Sequence, residues 1–227
     1  MTDGEQDRPV GQCLAALFDH LGIARAHIAG RSLPDVRGLI AEHPDRVASL
    51  ALLCPMALDT GMLAPLGGRL LIVSGDEGLG GRRIRALLPE LPEAAAAVLG
   101  GYEGLTWSDL AADRGDAILA ALDAFIARQD RVQPAELAEG EGEVAGISYR
   151  VRGAGPPLVL LPLDLSPGQW EPLIPALAAR FCTITLGGAL LGSVASLEER
   201  GRSGYMAIVR ALLDALAIRP GDSVLEV

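Results

Sequence analysis

Apolar residues in the first part of the chain fall into short, sharply bounded runs. Leu17, Phe18 and Leu21 stand at helical spacing and Gly22 follows them, which predicts a helix over about Gln12 to Leu21 behind a polar stretch of residues 1–11. Ala26 to Ala29 is a brief apolar run closed by Gly30, the mark of a buried strand. Asp35 to Ala41 reads as a short helix ended by Pro44. Ala48 to Cys54 (ASLALLC) is almost continuously apolar, as in a strand covered on both faces, and Arg69 to Gly75 (RLLIVSG) repeats that pattern. Between them Pro55 to Gly68 is a short connection rich in glycine and proline. Arg82 to Leu88 reads as a helix, and the alanine-rich stretch Glu93 to Leu99 fits either a helix or a strand. Ser108-Asp109 caps a helix running to about Arg128, broken near Gly115, with Ala117, Leu119, Ala120, Leu122 and Phe125 as its core face.

The pattern then lapses. Residues 129–143 (QDRVQPAELAEGEGE) are polar and acidic with scattered glycine, a linker composition, and divide a first unit, 1–128, from a second, 144–202. In the second, Gly146 to Gly153 alternates like an edge strand, Pro157 to Pro162 (PLVLLP) is a buried strand, Trp170 to Arg180 an amphipathic helix and Phe181 to Leu186 another strand. Ser203 caps a helix through Leu216, and Ser223 to Val227 reads as a strand, so 203–227 form a third piece. Helices alternating with buried strands imply an α/β fold: a mostly parallel sheet flanked by helices.

The bend Gly30-Arg31-Ser32-Leu33-Pro34, set between the Ala26 strand and the Asp35 helix, is close to the G-x-S-x-G nucleophile elbow. Together with AEHPDRV (41–47) it resembles the α/β-hydrolase family. The segment from Gly146 resembles the opening of the same family: a first hairpin, the strand before the oxyanion loop, a helix, and the strand beyond. The back half of such a sheet therefore comes first and its front half second. Two arrangements fit: one sheet built in permuted order, or two modules side by side.

The ending, Arg219-Pro220-Gly221-Asp222 followed by SVLEV, resembles the first motif of class I S-adenosylmethionine-dependent methyltransferases. That motif feeds a glycine-rich loop which holds the cofactor, and the sequence stops at Val227 before such a loop. The resemblance implies the front of a longer protein, with no cofactor held in this chain and S-adenosylmethionine bound only by a downstream domain.

Composition narrows the partners. Half of the 227 residues are hydrophobic and only 4% are aromatic, so the core is aliphatic. A net charge of -10 argues against nucleic acid and anionic membranes as partners. Cys13, Cys54 and Cys182 are odd in number and widely spaced, which reads as buried or free thiols in a reducing compartment and not as a disulfide frame or metal site. The acidic start and the lack of any ~20-residue apolar run point to a cytoplasmic protein.

A serine hydrolase needs a nucleophile, a histidine, an orienting acid and oxyanion donors. The resemblance assigns Ser32 as nucleophile and Asp76 as the nearest acid, although the family's acid position, three residues past the strand glycine, is Gly78. Where the family carries its histidine this chain has Gly101 to Trp107; His20, His27 and His43 all lie in the first 43 residues. Pro162-Leu163 replaces the family's His-Gly oxyanion pair. Simpler roles are available: Ser32 as a helix-capping turn residue, Asp76 and Glu77 as partners of Arg82, Arg83 or Arg85, His27 as a packed histidine, His43 as a surface helix end, GLGGRR (78–83) as a flexible loop, and Tyr102 and Trp107 as core or rim aromatics. The expectation is a degenerate, non-catalytic hydrolase-like module serving as the N-terminal part of a methyltransferase-type protein. The alternatives are a serine-type ester hydrolase using Ser32 with His27 or His43, or a domain binding a small molecule or another protein.

Overall fold

The computed structural model describes residues 10–105, 107–164, 167–188 and 191; the helix and strand read over 203–227 lie outside them. Helix α1 spans Val10–His20 and turns at Gly22 into strand β1, Ala26–Gly30, every residue of which is buried. Helix α2 (Leu33–Glu42) follows with Ser32 as its N-cap and Pro34 in its first turn, where proline's missing N–H costs nothing. Strand β2 (Val47–Leu53) and strand β3 (Leu70–Gly75) are buried along their whole length, as their unbroken apolar runs predict. The connection between them contains a single turn, α3 (Thr60–Leu63), capped by the Asp59 carboxylate on the Met62 amide.

Helix α4 begins at Gly78 and ends at Leu87, so the 78–81 glycines are helical and not a loop. Their low helix propensity hides the start, yet Gly81 faces the Gly75 carbonyl at a spot with no room for a side chain. The ambiguous alanine stretch is strand β4, Ala95–Leu99. Helix α5 (Leu110–Ile126) is capped by Asp109 on the Ala112 amide and kinked at Arg114, one residue before the expected break. Its buried face is Leu110, Ala111, Ile118, Leu122, Phe125 and Ile126; Ala117 and Ala120 are exposed, contrary to the sequence reading.

Within the stretch read as linker, Gly140–Val144 forms strand β5, antiparallel to β6 (Ile147–Arg152). Strand β6 is therefore not an edge: β5 covers one side and β8 (Cys182–Gly187) the other. Strand β7 is Pro157–Leu160. The helix expected over Trp170 to Arg180 shrinks to α6, Ile174–Ala178, behind a 3-10 turn at Pro167–Trp170. Pro172 and Pro175 lack the N–H a helix interior requires, which confines them to its start.

The eight strands form one sheet in the order β4-β3-β2-β1-β7-β8-β6-β5, parallel from β4 through β8. His27 to Ala29 of β1 pair with Leu158 to Leu160 of β7, so both halves of the chain share one sheet and do not form two modules side by side. Alternate residues of each strand serve separate cores. Ile28, Leu50, Leu52 and Ile72 pack under α1, α2 and Ile84 of α4; Ala29, Leu53, Val73, Leu158 and Leu160 pack under α5 and α6. The helices α1 and α2 touch backbone to backbone: a Cβ on Gly11 would lie 2.5 Å from the Gly38 backbone, and one on Gly38 2.9 Å from the Gly11 Cα. Among the described residues no helix is long and apolar enough to cross a membrane, and all three cysteines are buried free thiols.

Candidate functional site

From β1 the chain winds outward through β2 and β3 to β4, then crosses to the other side of the sheet and returns inward to β7, next to β1. The winding direction reverses between β1 and β7, and the crevice outside the carboxyl ends of strands at such a reversal is where open α/β sheets place ligands. Gly30 and Leu160 end the two strands, so Arg31, Ser32 and Asp164 lie at that crevice. Cys54 and Asp76, beyond β2 and β3, follow along the same edge.

The crevice is organised by Arg31. Its side chain is 1% exposed. The Arg31 Nε donates to the Cys54 carbonyl at 3.1 Å, and Nη2 donates to the carbonyls of Gly104 and Leu105, each at 2.8 Å. The Asp164 carboxylate stands 3.6 Å from Nε. A guanidinium is a rigid planar fork of donors, and here it ties together the loops after β2, β4 and β7. Burial pushes the Arg31 pKa down, and the Asp164 charge opposes that shift. Burial pushes Asp164 up, opposed by Arg31.

Backbone strain gathers around this cation. Cys54 (φ 45°) and Asp164 (φ 78°) both occupy the left-handed region without being glycine. The Cys54 thiol is pushed up by burial, against the pull of Arg31 and of the Gly75 amide. Tyr102 lies behind it, its hydroxyl donating to Asp113 at 2.9 Å; burial first and that carboxylate second push its pKa up to about 12, against a hydrogen bond with Ser108. Trp170, 1% exposed, closes the α5–α6 side by donating its indole N–H to the Leu161 carbonyl at 2.7 Å.

Ser32 has φ −86° and ψ 114°, ordinary extended backbone, and its side chain makes no capping bond to α2. A nucleophile elbow holds its serine on a strained turn; at this crevice the strained residues are Cys54 and Asp164. The Asp76 side chain is exposed and accepts from the Tyr102 amide at 3.2 Å, bracing the loop after β4. Two of the arginines expected to pair with it serve main-chain carbonyls instead: Arg85 donates to those of Gly75 and Asp76, and Arg82 to that of Gly78.

All three histidines of the chain lie away from this edge. His20 ends α1, with Nε2 3.2 Å from the Tyr149 hydroxyl, and His43 ends α2 where the chain enters β2. His27 is the second residue of β1, so about five residues of extended chain, roughly 16 Å, separate it from Ser32. It is 2% exposed and its Nδ1 lies 2.8 Å from the Ser49 hydroxyl on the neighbouring strand. Burial first, and then nearby Arg25, lower its pKa to about 4. After β7 come Pro162 and Leu163, of which Leu163 is fully buried in the core.

Sequence reasoning passed over Arg31 and Asp164. The available signal was their position: Arg31 directly behind β1 and Asp164 four residues past β7, two buried strands that meet at the centre of the sheet. Among the described residues no group of three or more His, Cys, Asp or Glu is placed to hold a metal ion. No protein-family model, curated protein or solved structure matches the chain.

Proposed function

We propose that this chain is an α/β-hydrolase-like module, permuted in order, whose hydrolytic crevice has become a structural joint. In this reading it serves as the N-terminal docking part of a methyltransferase-type protein. The observation that carries the reading is Arg31. Its buried fork occupies the place above the central strands where an oxyanion and a base would otherwise work, and the three carbonyls and Asp164 already engage it. A crevice for acyl transfer needs donors free to meet the developing oxyanion.

Three further features support it. The hairpin β5–β6 and strands β7 and β8 lie on one side of β1, and β2 to β4 lie on the other, as a front half following a back half requires. Ser32 is unstrained, and the histidines sit toward the opposite edge of the sheet. The resemblance of residues 219–227 to the first methyltransferase motif supplies the second part of the proposal, with S-adenosylmethionine belonging to a following domain.

The test is fluorophosphonate labelling of the purified chain, read by intact mass beside Ser32→Ala. The expected outcome is no labelling of the folded parent. Labelling of the parent that disappears in Ser32→Ala would overturn the reading and restore an ester hydrolase acting through Ser32. The methyltransferase part is tested separately by reading the natural frame past Val227: the glycine-rich loop is expected there, and a stop codon at that point would remove it.

A further inference from the structure

The opposite edge of the sheet carries a second feature. At the amino ends of β1 and β7, a cleft of about 220 Å³ opens between residues 22–25, residues 131–135 and Pro157. Two arginines line it, Arg25 from the turn before β1 and Arg131 from the segment after α5, together with Gln133 and no acidic residue. The Arg25 Nε is buried and has no hydrogen-bond partner among the described residues. Neither arginine has a carboxylate within ion-pairing distance among the described residues, whereas Arg31, Arg37, Arg46, Arg150, Arg152 and Arg180 each do.

In a chain of net charge -10, two cations left without anions in one concave site are an unexpected expense. A buried N–H with no acceptor costs free energy comparable to a lost hydrogen bond, and two guanidinium groups in one cleft repel. Both penalties vanish if an anion with several acceptor oxygens enters. Arginine's fork suits tetrahedral oxyanions, and the Gln133 amide offers further neutral donors. Asp130 and the last carbonyls of α5 lie beyond the shared Arg131 wall, in the adjoining cleft beside His27. They set a negative boundary on that side and leave the Arg25–Arg131 cleft as the positive one.

We propose that this cleft binds a phosphate dianion, free or as the head of a small phosphate monoester, held between Arg25 and Arg131. The proposal concerns the edge of the sheet away from Arg31 and stands independently of the hydrolase-like reading.

Calorimetric titration and thermal melts of the full chain at low ionic strength, with inorganic phosphate and with phenyl phosphate, test it. Phosphate at about 10 mM is expected to raise the melting temperature through preferential binding to the folded state. Arg131→Gln, at an exposed position with no intramolecular bond among the described residues, is expected to weaken phosphate binding by about tenfold while leaving the ligand-free melting temperature unchanged. Arg25→Met is expected to melt at or above the parent temperature without ligand, because it removes an orphaned buried donor, and to lose the phosphate response. Tighter binding of phenyl phosphate assigns the site to esters, and equal or weaker binding assigns it to the free ion. An unchanged phosphate response in Arg131→Gln, no response in the parent, or an equal response to potassium chloride at matched ionic strength would overturn the proposal.

Discussion

At the scale of single residues, two buried ionisable groups make opposite demands. Arg31 and Asp164 face each other at 3.6 Å, so each charge is held in part by the other. Arg31→Leu is expected to cost about 3–5 kcal/mol in urea unfolding, because it takes the buried cation from beside the Asp164 carboxylate and leaves the carbonyls of Cys54, Gly104 and Leu105 without their donor. Adding Asp164→Asn to that variant is expected to recover part of the loss, since asparagine also accepts the left-handed backbone at 164. Arg31→Lys restores the charge without the planar fork and is expected to fall well short of the parent. His27 makes the reverse demand, for neutrality. Its pKa is about 4 in the fold against 6.5 as the ordinary value, so the protonated form is favoured by unfolding. Its contribution to stability is complete above pH 6.5 and drains away as pH falls toward 4, by up to about 3 kcal/mol. Urea unfolding at pH 7, 5.5 and 4 measures this, and His27→Gln should flatten that part of the acid limb. The sequence made His27 legible as a packed residue, because a single polar position inside an apolar strand has few other fates. Arg31 stayed illegible because its partners, at 54, 104, 105 and 164, come from three loops that only the sheet assembles.

Among the elements, what could be read depended on how much a strand hides. β1, β2, β3 and β7 are covered on both faces, so unbroken apolar runs announced them. The two edges did not announce themselves. In β4 the exposed positions are filled by alanine and Val98, and alanine's helix preference competes with a pairing that only β3 supplies. In β5 the composition GEGEV is that of a linker, for a reason that suits its place: glutamates on an outermost strand discourage pairing with another chain. The α1–α2 crossing follows the same logic of contact over propensity. Alanine in a helix interior is normally worth about 1 kcal/mol over glycine, yet Gly38→Ala is expected to destabilise by about 1–3 kcal/mol, because the added methyl meets the Gly11 backbone at 2.9 Å. A lower melting temperature for Gly38→Ala than for the parent is the check; a higher one would mean that the helices slide apart at little cost.

For the whole molecule, the alternation of helix and strand was enough to give the class of fold, but it left open one sheet built in permuted order or two modules side by side, and only the pairing of β1 with β7 decides between them. The register was not readable, since the pairing of His27 with Leu158 joins positions 131 residues apart and leaves no local trace. The central seam of the sheet is therefore a long-range contact, while most of the pairs outside it join neighbours in sequence. A fragment ending at residue 139 keeps β1 to β4 but leaves the β7 side of β1 open, and size-exclusion chromatography is expected to show it self-associated. Supplying residues 140–227 in trans is expected to return it to a one-to-one complex. The same seam sets a timetable for synthesis. As the chain leaves the ribosome, more than a hundred residues must follow β1 before its partner β7 appears. Over that interval the central strand pair of the sheet exists as half a pair. The nascent chain thus depends on whatever shields β1 during translation, and pausing or truncation before residue 157 is the point at which a growing polypeptide of this design is most exposed to a neighbour on the same message.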